Sequence, residues 1–268
     1  MNSTGLKIAL VIAFVVGVIC AVDPQLDIDL SELFFSRVIG LFDANSQWWV
    51  QLGRNSSRVI ITLLVLPGFI AVLGKLIVPR RPMLIEARTA LFLVATLAIG
   101  PGVVTNLILK DHWGRMRPID LAQFDIHHNN TGQFTPWWDP RGECPNNCSF
   151  IAGEPSGAFW TLAPAALAPP ELRALAYGAA LVFGTAVSIL RIAAGAHFFS
   201  DTVFAGVFMY LVIWSIHGLI YRWPATRLDE DRIEASLTRA GEALRAGALA
   251  LWQRGAAVLA RLNSKKSL

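Results

Sequence analysis

VIITLLVLPGFIAVLGKLIV, residues 59–78, is a run of twenty positions with a single charged side chain, Lys75. A helix crosses the hydrocarbon core of a bilayer with about 20 apolar residues, so this run predicts a membrane-spanning helix. The whole chain agrees, because 54% of its 268 residues are hydrophobic and 16% are charged, with a mean hydropathy of +0.50. That balance lies outside the usual range of soluble domains. The sequence therefore predicts an integral membrane protein.

Six apolar runs are candidate spans, so we expect an all-α bundle of six transmembrane helices. They are residues 6–22, 59–78, 90–109, 156–168, 174–190 and 202–219. The fourth run is short and rich in proline. The first run, which includes Lys7, could instead be the apolar core of a cleaved signal peptide, but its length favours a retained span. An even number of spans places both termini on the same side of the membrane.

The basic residues of the connecting segments predict the orientation of the bundle. Lys75, Arg80, Arg81 and Arg88 lie between the second and third spans, Arg173 lies in the next link on that side, and Arg222 and Arg227 follow the last span. By the positive-inside rule these links are cytoplasmic. We therefore expect a multi-pass protein of the inner membrane with both termini cytoplasmic. Residues 23–58 and 110–155 would then lie on the periplasmic side.

Two cysteines lie in the second of these external segments, as Cys144-Pro-Asn-Asn-Cys148. An oxidising compartment permits a disulfide between them, which would stiffen the loop. The alternative is a zinc site completed by His127 and His128. A single C-x3-C spacing is weak evidence for a metal, so the sequence favours the disulfide.

Residues 223–268 are predicted to form a cytoplasmic amphipathic helical tail that follows a transmembrane domain over residues 1–222. Pro224 marks the break between the two. Apolar side chains recur at every seventh position of the tail, among basic ones, at Leu237, Leu244, Leu251 and Val258. Such a helix could rest on anionic lipids or pair with a second copy in a homodimer. The sequence leaves both readings open.

Ionisable side chains are costly at bilayer depth, and here they gather in three clusters where spans meet the external side. The clusters are residues 110–118 (KDHWGRMRP), 148–157 (CSFIAGEPSG) and 191–201 (RIAAGAHFFSD). In the third cluster His197 and Asp201 are four positions apart, so on a helix the carboxylate could accept a hydrogen bond from one ring nitrogen. An imidazole oriented in this way is typical of a nucleophile or a general base, although such pairs also occur as structural hydrogen bonds.

The first two clusters supply groups that bind phosphate. Lys110 offers a point charge, and Arg117 offers a planar set of donors that matches phosphate oxygens. Gly153 has no side chain, so backbone N–H groups beside it could approach an anion closely. Taken singly, these clusters could equally be a basic belt at the lipid headgroups and a turn.

Together the three clusters resemble the type 2 phosphatidic acid phosphatase superfamily, which includes membrane lipid phosphatases, bacterial acid phosphatases and vanadium haloperoxidases. The superfamily signature is K-x6-R-P, then P-S-G-H, then S-R-x5-H-x3-D. The matching residues are Lys110, Arg117 and Pro118 in the first element and Arg191, His197 and Asp201 in the third. The resemblance covers the chain up to Tyr221 and implies a six-helix core with its site on the external side.

The resemblance also implies a reaction, the hydrolysis of a phosphoric monoester. His197 would attack phosphorus to form a phosphohistidine, Asp201 would orient its ring, and Lys110, Arg117 and Arg191 would hold the phosphate until water releases it. No metal and no organic cofactor is implied. The expected partners are a lipid-phosphate substrate and the bilayer, and no nucleic acid.

The middle element departs from the signature, because it reads Ile-Ala-Gly-Glu over residues 151–154. Ala152 cannot donate the hydroxyl of the family serine, so either activity is reduced or another donor, Ser149 or Ser156, replaces it. Glu154 stands where the family has the histidine that protonates the leaving alcohol. Partial burial would raise its carboxyl pKa and nearby cations would lower it. We hypothesise that Glu154 is the acid, with His112 as a substitute and Arg115 in a supporting role.

The placement of charges also separates an enzyme from other classes of membrane protein. A transporter usually buries ionisable groups near the middle of the membrane, whereas here they cluster at one face. A non-hydrolytic lipid-phosphate binder is the alternative, because Ala152 weakens the match. Candidate substrates are lipid A, undecaprenyl diphosphate, phosphatidylglycerol phosphate and phosphatidic acid. The long external loop, in which Trp137, Trp138, His127 and His128 could contact a large headgroup, favours a glycolipid such as lipid A.

Overall fold

The computed structural model describes residues 1–126 and 129–266, and these residues form helices and loops without a β-sheet. The all-α class is therefore confirmed. His127 and His128, which the zinc and headgroup hypotheses use, lie outside the described residues.

Nine helices follow one another along the described chain. They are α1 (Ser3–Val22), α2 (Gln25–Glu32), α3 (Trp48–Ile77), α4 (Ala87–His112), α5 (Gly153–Phe159), α6 (Leu162–Ala166), α7 (Pro170–Ala193), α8 (Phe199–Arg222) and α9 (Glu230–Lys266). Local chemistry fixes several of their ends. The Asn2 side chain accepts a hydrogen bond from Gly5 N–H and caps α1, and Pro170 occupies the first turn of α7, where its missing N–H is not needed.

Five of these helices are long and apolar enough to cross a membrane: α1, α3, α4, α7 and α8. The predicted fourth span, residues 156–168, is not a single long helix. It forms parts of the short helices α5 and α6, which are separated at Trp160 and Thr161. The run is too short to span the hydrocarbon alone, and Pro164 lies within it.

The two short helices fill the centre of the bundle. Trp160 is fully buried, and its indole N–H donates to the Thr96 hydroxyl at 2.9 Å. It packs in one cluster with Phe92 of α4 and with Met209 and Ile213 of α8. The proline-rich run therefore forms part of the core of the bundle, and the long helices surround it.

The two ends of the bundle are built from different segments. At one end, α9 packs on the end of α3 and the start of α4, where Glu234 pairs with Lys75 at 2.6 Å and Glu230 pairs with Arg88 at 3.4 Å. We call this the tail end. The start of α3, the end of α4 and the start of α8 lie at the opposite end, which we call the site end.

Loops cover the site end and fix the turn between α7 and α8. The rings of Phe35, Phe42 and Phe124 form a cluster with centroid distances of 5.2–5.3 Å. Gly195 has a φ of +65°, and a Cβ there would lie 2.4 Å from the Phe42 ring. Only a glycine fits both the backbone conformation and the close contact. This turn carries His197.

Candidate active site

His197 is buried in the turn before α8, and its ring is held through one nitrogen. Its Nδ1 lies 2.8 Å from the backbone carbonyl oxygen of Ser149. Because a carbonyl oxygen only accepts, Nδ1 carries the hydrogen and Nε2 keeps its lone pair. Burial lowers the pKa of His197 well below its usual 6.5, and the positive charges of Arg191, Lys110 and Arg117 lower it further. The imidazole is therefore neutral, as a nucleophile must be.

Asp201 does not bond to the His197 ring directly, which differs from the predicted pairing. Its carboxylate accepts from the Ser149 hydroxyl at 2.5 Å and from the Phe198 N–H at 2.9 Å, and it pairs with Arg115. The reason is local, because a carboxylate in the first turn of a helix caps the free N–H groups of that turn. Ser149 thus connects the two residues, with its hydroxyl on Asp201 and its carbonyl on His197.

Arg115 is a fully buried support beneath this arrangement. Its guanidinium donates to the Asp27 carboxylate at 2.8 Å, to the Ser200 hydroxyl at 2.9 Å and to the Thr135 carbonyl at 2.8 Å, besides Asp201. Burial alone would lower its pKa, but the charges of the two aspartates outweigh burial and raise it. Since its donors are engaged in these contacts, Arg115 connects α2 to the start of α8 rather than binding a phosphate.

Lys110 and Arg117 meet at the loop that the cysteines close. Cys144 and Cys148 form a disulfide. Asn147 within this loop accepts from Lys110 Nζ at 2.8 Å through its side chain, and from Arg117 Nη2 at 2.7 Å through its backbone carbonyl. The disulfide loop therefore brings the two cations together beside His197.

Gly153 lies against Lys110 where α5 begins. A Cβ at this position would lie 3.3 Å from Lys110 Nζ, so the glycine makes room for the ammonium group. The predicted backbone contact to phosphate at Gly153 stays a prediction.

Glu154 is surrounded by three guanidinium groups. Arg54 Nε lies 3.1 and 3.2 Å from its two carboxylate oxygens, Arg58 Nη2 lies at 2.6 Å, and Arg191 Nε forms an ion pair at 2.9 Å. Burial would raise the pKa of Glu154, but the hydrogen bonds from Arg54 and Arg58 and the charge of Arg191 outweigh burial and lower it. Glu154 is therefore a carboxylate near pH 7, which argues against the proton-donor role.

Arg54 and Arg58 are absent from the signature, and the sequence prediction did not include them. They lie on the first turns of α3, about one hundred positions before Glu154 in the chain. A signal was present in the sequence, since two arginines precede an apolar run on the side that the positive-inside rule leaves poor in cations.

Three further candidates, Ser149, Ser156 and His112, are engaged in other contacts. The Ser156 hydroxyl donates to the Ala152 carbonyl at 2.8 Å, and the Ser149 hydroxyl is engaged by Asp201, so neither replaces the missing family serine. His112 is exposed, with its Nδ1 3.0 Å from the Ile108 carbonyl oxygen. It follows Lys110 by two positions, which is about 200° around the helix.

In residues 1–126 and 129–266, no three His, Cys, Asp or Glu side chains gather in a way that could hold a metal ion. The two cysteines of the zinc hypothesis are joined to each other instead.

Comparison with known proteins places the chain in a class. Residues 89–228 match the family model described as the PAP2 superfamily. The chain belongs to the PAP2 superfamily, which confirms the resemblance to its membrane phosphatases. The predicted enzyme class, a phosphoric monoester hydrolase, is confirmed by the similar proteins, which are phosphatases.

Similar proteins share one name. A lipid A 4'-phosphatase of Francisella tularensis subsp. novicida is 34% identical over 224 residues, which are 80% of this chain and 95% of that protein. A lipid A 4'-phosphatase of Rhizobium leguminosarum is 34% identical over 112 residues, or 41% of this chain and 46% of that protein. No solved structure gives a significant match.

Proposed function

We propose that this protein hydrolyses a phosphomonoester of a membrane glycolipid of the lipid A type, with His197 as the nucleophile. The observation that carries the proposal is the state of His197, a buried neutral imidazole with a free Nε2 in the field of Lys110, Arg117 and Arg191. A lone pair beside clustered cations is the arrangement that phosphoryl transfer needs. The lipid A part rests on the Francisella relative, whose length this chain covers almost entirely.

The reaction proceeds in two steps, transfer of the phosphoryl group to His197 and hydrolysis of the phosphohistidine. The Nε2 lone pair attacks phosphorus, the bond from phosphorus to the lipid oxygen breaks, and the lipid oxygen takes a proton from water. Water then attacks the phosphohistidine, the P–N bond breaks, and inorganic phosphate and neutral His197 result. Lys110, Arg117 and Arg191 stabilise the charge on the equatorial oxygens in both transition states.

Ser149 and Asp201 control the ring during these steps. The ring becomes positively charged when Nε2 bonds to phosphorus, and the Ser149 carbonyl dipole stabilises that charge through the Nδ1 hydrogen. Asp201 holds the Ser149 hydroxyl and is itself fixed by Arg115. Asp201 is thus a positioning residue that acts through Ser149.

Glu154 is assigned an electrostatic role in place of the acid role. Its carboxylate contacts the Arg191 guanidinium through Nε, which leaves the two terminal nitrogens of Arg191 for a phosphate. Fixing the guanidinium before substrate arrives lowers the cost of organising it in the transition state.

The external placement of the site is also part of the proposal. Lys75 and Arg88 lie at the tail end, on links that the positive-inside rule places in the cytoplasm. His197 lies at the site end of the bundle, opposite these links. This supports a periplasmic site in the inner membrane, with the tail in the cytoplasm.

Release of inorganic phosphate from purified protein and lipid A tests the proposal. His197→Gln should abolish release, and His112→Gln, the matched change on an exposed histidine, should leave it within about twofold of wild type. A phosphoenzyme trapped from labelled substrate should be acid-labile and base-stable in wild type and absent from His197→Gln. Full activity of His197→Gln would overturn the mechanism, and lipid binding without hydrolysis by wild type would favour a binding protein.

A further inference from the structure

We infer that Arg54 and Arg58 form a second anion subsite beside the phosphate pocket, which binds another acidic group of the same lipid. The inference rests on the proposed function and deepens it. It assigns the substrate class as lipids with at least two acidic groups, of which His197 attacks one.

Cations outnumber carboxylates around Glu154. Three guanidinium groups, those of Arg54, Arg58 and Arg191, share the single carboxylate of Glu154, so the group carries a net charge of +2 (three minus one). Lys110 and Arg117 add two more cations at the same end of the bundle. The five cations and Glu154 together carry a charge of +4 (five minus one), of which a phosphomonoester dianion compensates two and leaves +2.

Arg54 and Arg58 lie next to Arg191 because all three contact one carboxylate. Glu154 contacts Arg191 through Oε2, Arg58 through Oε1 and Arg54 through both oxygens. The two additional arginines are therefore one carboxylate away from Arg191. They are also four positions apart on α3, so they share one helix face.

The three arginines around Glu154 differ in their exposure to solvent. Side-chain exposure rises from 7% at Arg191 to 20% at Arg54 and 58% at Arg58, which describes a path from the buried pocket to its mouth. An arginine that serves only to reach lipid headgroups would extend outward along the membrane surface. Arg54 turns inward instead, with Nε and Nη2 on Glu154 and Nη1 on Gln51, so the N–H groups left for a ligand are mainly those of the exposed Arg58.

The chemistry of the guanidinium group defines the ligand. Its planar donors match the two oxygens of a phosphate or a carboxylate, and both groups occur on complex lipids. The subsite therefore fits either a second phosphate or an acidic sugar, provided that it lies close to the phosphate under attack. A lipid with one isolated phosphate leaves the subsite unused.

The experiment compares three lipids with the full chain in detergent micelles. The first, phosphatidic acid, carries one acidic group. The second, an isoprenoid diphosphate, carries a second phosphate. The third is a phosphorylated glycolipid that includes an acidic sugar and so carries a carboxylate. The readout is the preference, defined as kcat/KM for a lipid with two acidic groups divided by kcat/KM for phosphatidic acid. Wild type should show a preference for at least one of the two, and which one identifies the second group.

Arg58→Gln should reduce that preference roughly tenfold, mainly through KM, because a hydrogen bond to a charged group is lost. Arg58→Lys keeps the charge without the planar donors and should give an intermediate reduction. Arg37→Gln is the matched control, since Arg37 is 72% exposed and pairs with Glu32 at the end of α2. It should leave the preference unchanged. Thermal unfolding of each variant checks that the fold is retained.

Two results would overturn the inference while leaving the proposed function intact. One is hydrolysis by wild type with no preference between lipids, and the other is an equal loss of kcat/KM on all three lipids in Arg58→Gln. The second would mean that Arg58 serves the reacting phosphate. Failure of wild type to hydrolyse any of the lipids would overturn the proposed function, and the inference with it.

Discussion

The two ends of the helix bundle both carry cations that face carboxylates, but the number of cations per carboxylate differs between these contacts. At the tail end Lys75 pairs with Glu234 and Arg88 pairs with Glu230, one carboxylate for each of these two cations. At the site end Glu154 alone faces three arginines. Balanced pairs hold segments of the chain together, whereas an excess of partly buried cations raises the energy of the empty site and is relieved when an anion binds.

The comparison separates structural ion pairs from binding groups without reference to a motif. It predicts that substitutions at the site end change activity far more than stability, and that matched substitutions at the tail end do the reverse.

Arg191→Gln should give the largest effect. It removes a charge that stabilises the transferred phosphoryl group, and loss of one such donor typically reduces kcat by about 10²- to 10³-fold. Arg88→Gln makes the same change at the tail end and should leave kcat within about twofold. Phosphate release by both variants, measured at saturating lipid, tests this. Similar losses in the two variants would show that charge balance does not distinguish the ends.

Glu154→Gln should reduce kcat/KM by about tenfold, because it removes the carboxylate charge that pairs with Arg191 at 2.9 Å, and a contact to a charged group contributes roughly 1.5–3 kcal/mol. We expect the same reduction for an alkyl phosphate and for an aryl phosphate. An electrostatic role through Arg191 does not depend on the leaving group, whereas a proton donor matters mainly for the poor leaving group. A loss confined to the alkyl phosphate would restore the acid hypothesis for Glu154.

The pH dependence of stability should reveal the buried imidazole. Because burial depresses the pKa of His197 in the folded protein below the unfolded 6.5, its neutral form contributes stability that is fully present above pH 6.5. That contribution is lost as pH falls from 6.5 through the depressed folded-state pKa. We expect the thermal midpoint of wild type to fall more steeply below pH 6.5 than that of His197→Gln. Parallel curves for the two proteins would mean that His197 titrates normally.

Residue patterns alone predicted much of this architecture, for identifiable reasons. Apolar length predicted the five long helices, because crossing a bilayer imposes that length whatever the packing. It did not predict that residues 156–168 are divided between two short helices, because a short helix buried among others is as apolar as one in lipid. Local composition does not distinguish the two environments.

The residues of the candidate site were also predicted from the sequence only in part. His197, Lys110 and Arg191 were predicted because they form a spaced signature in one sequence. Ser149 was not assigned its role, because it orients His197 through a backbone carbonyl that any residue would offer. Arg54 was missed because its partner lies one hundred positions away, and only the fold brings the two together.

Glu234→Gln should give the smallest effect and the clearest contrast. Lys75 is nearly buried and bonds both Glu234 and the Arg81 carbonyl, so removing the charge of Glu234 leaves one of its two contacts. We expect a loss of about 1 kcal/mol in unfolding free energy, the upper range for a partly exposed pair. Glu242→Gln, whose ion pair with Arg80 at 3.8 Å is exposed, should cause no measurable change. Both variants should retain wild-type kcat, and a large loss of activity in Glu234→Gln with normal stability would show that the tail end communicates with the site.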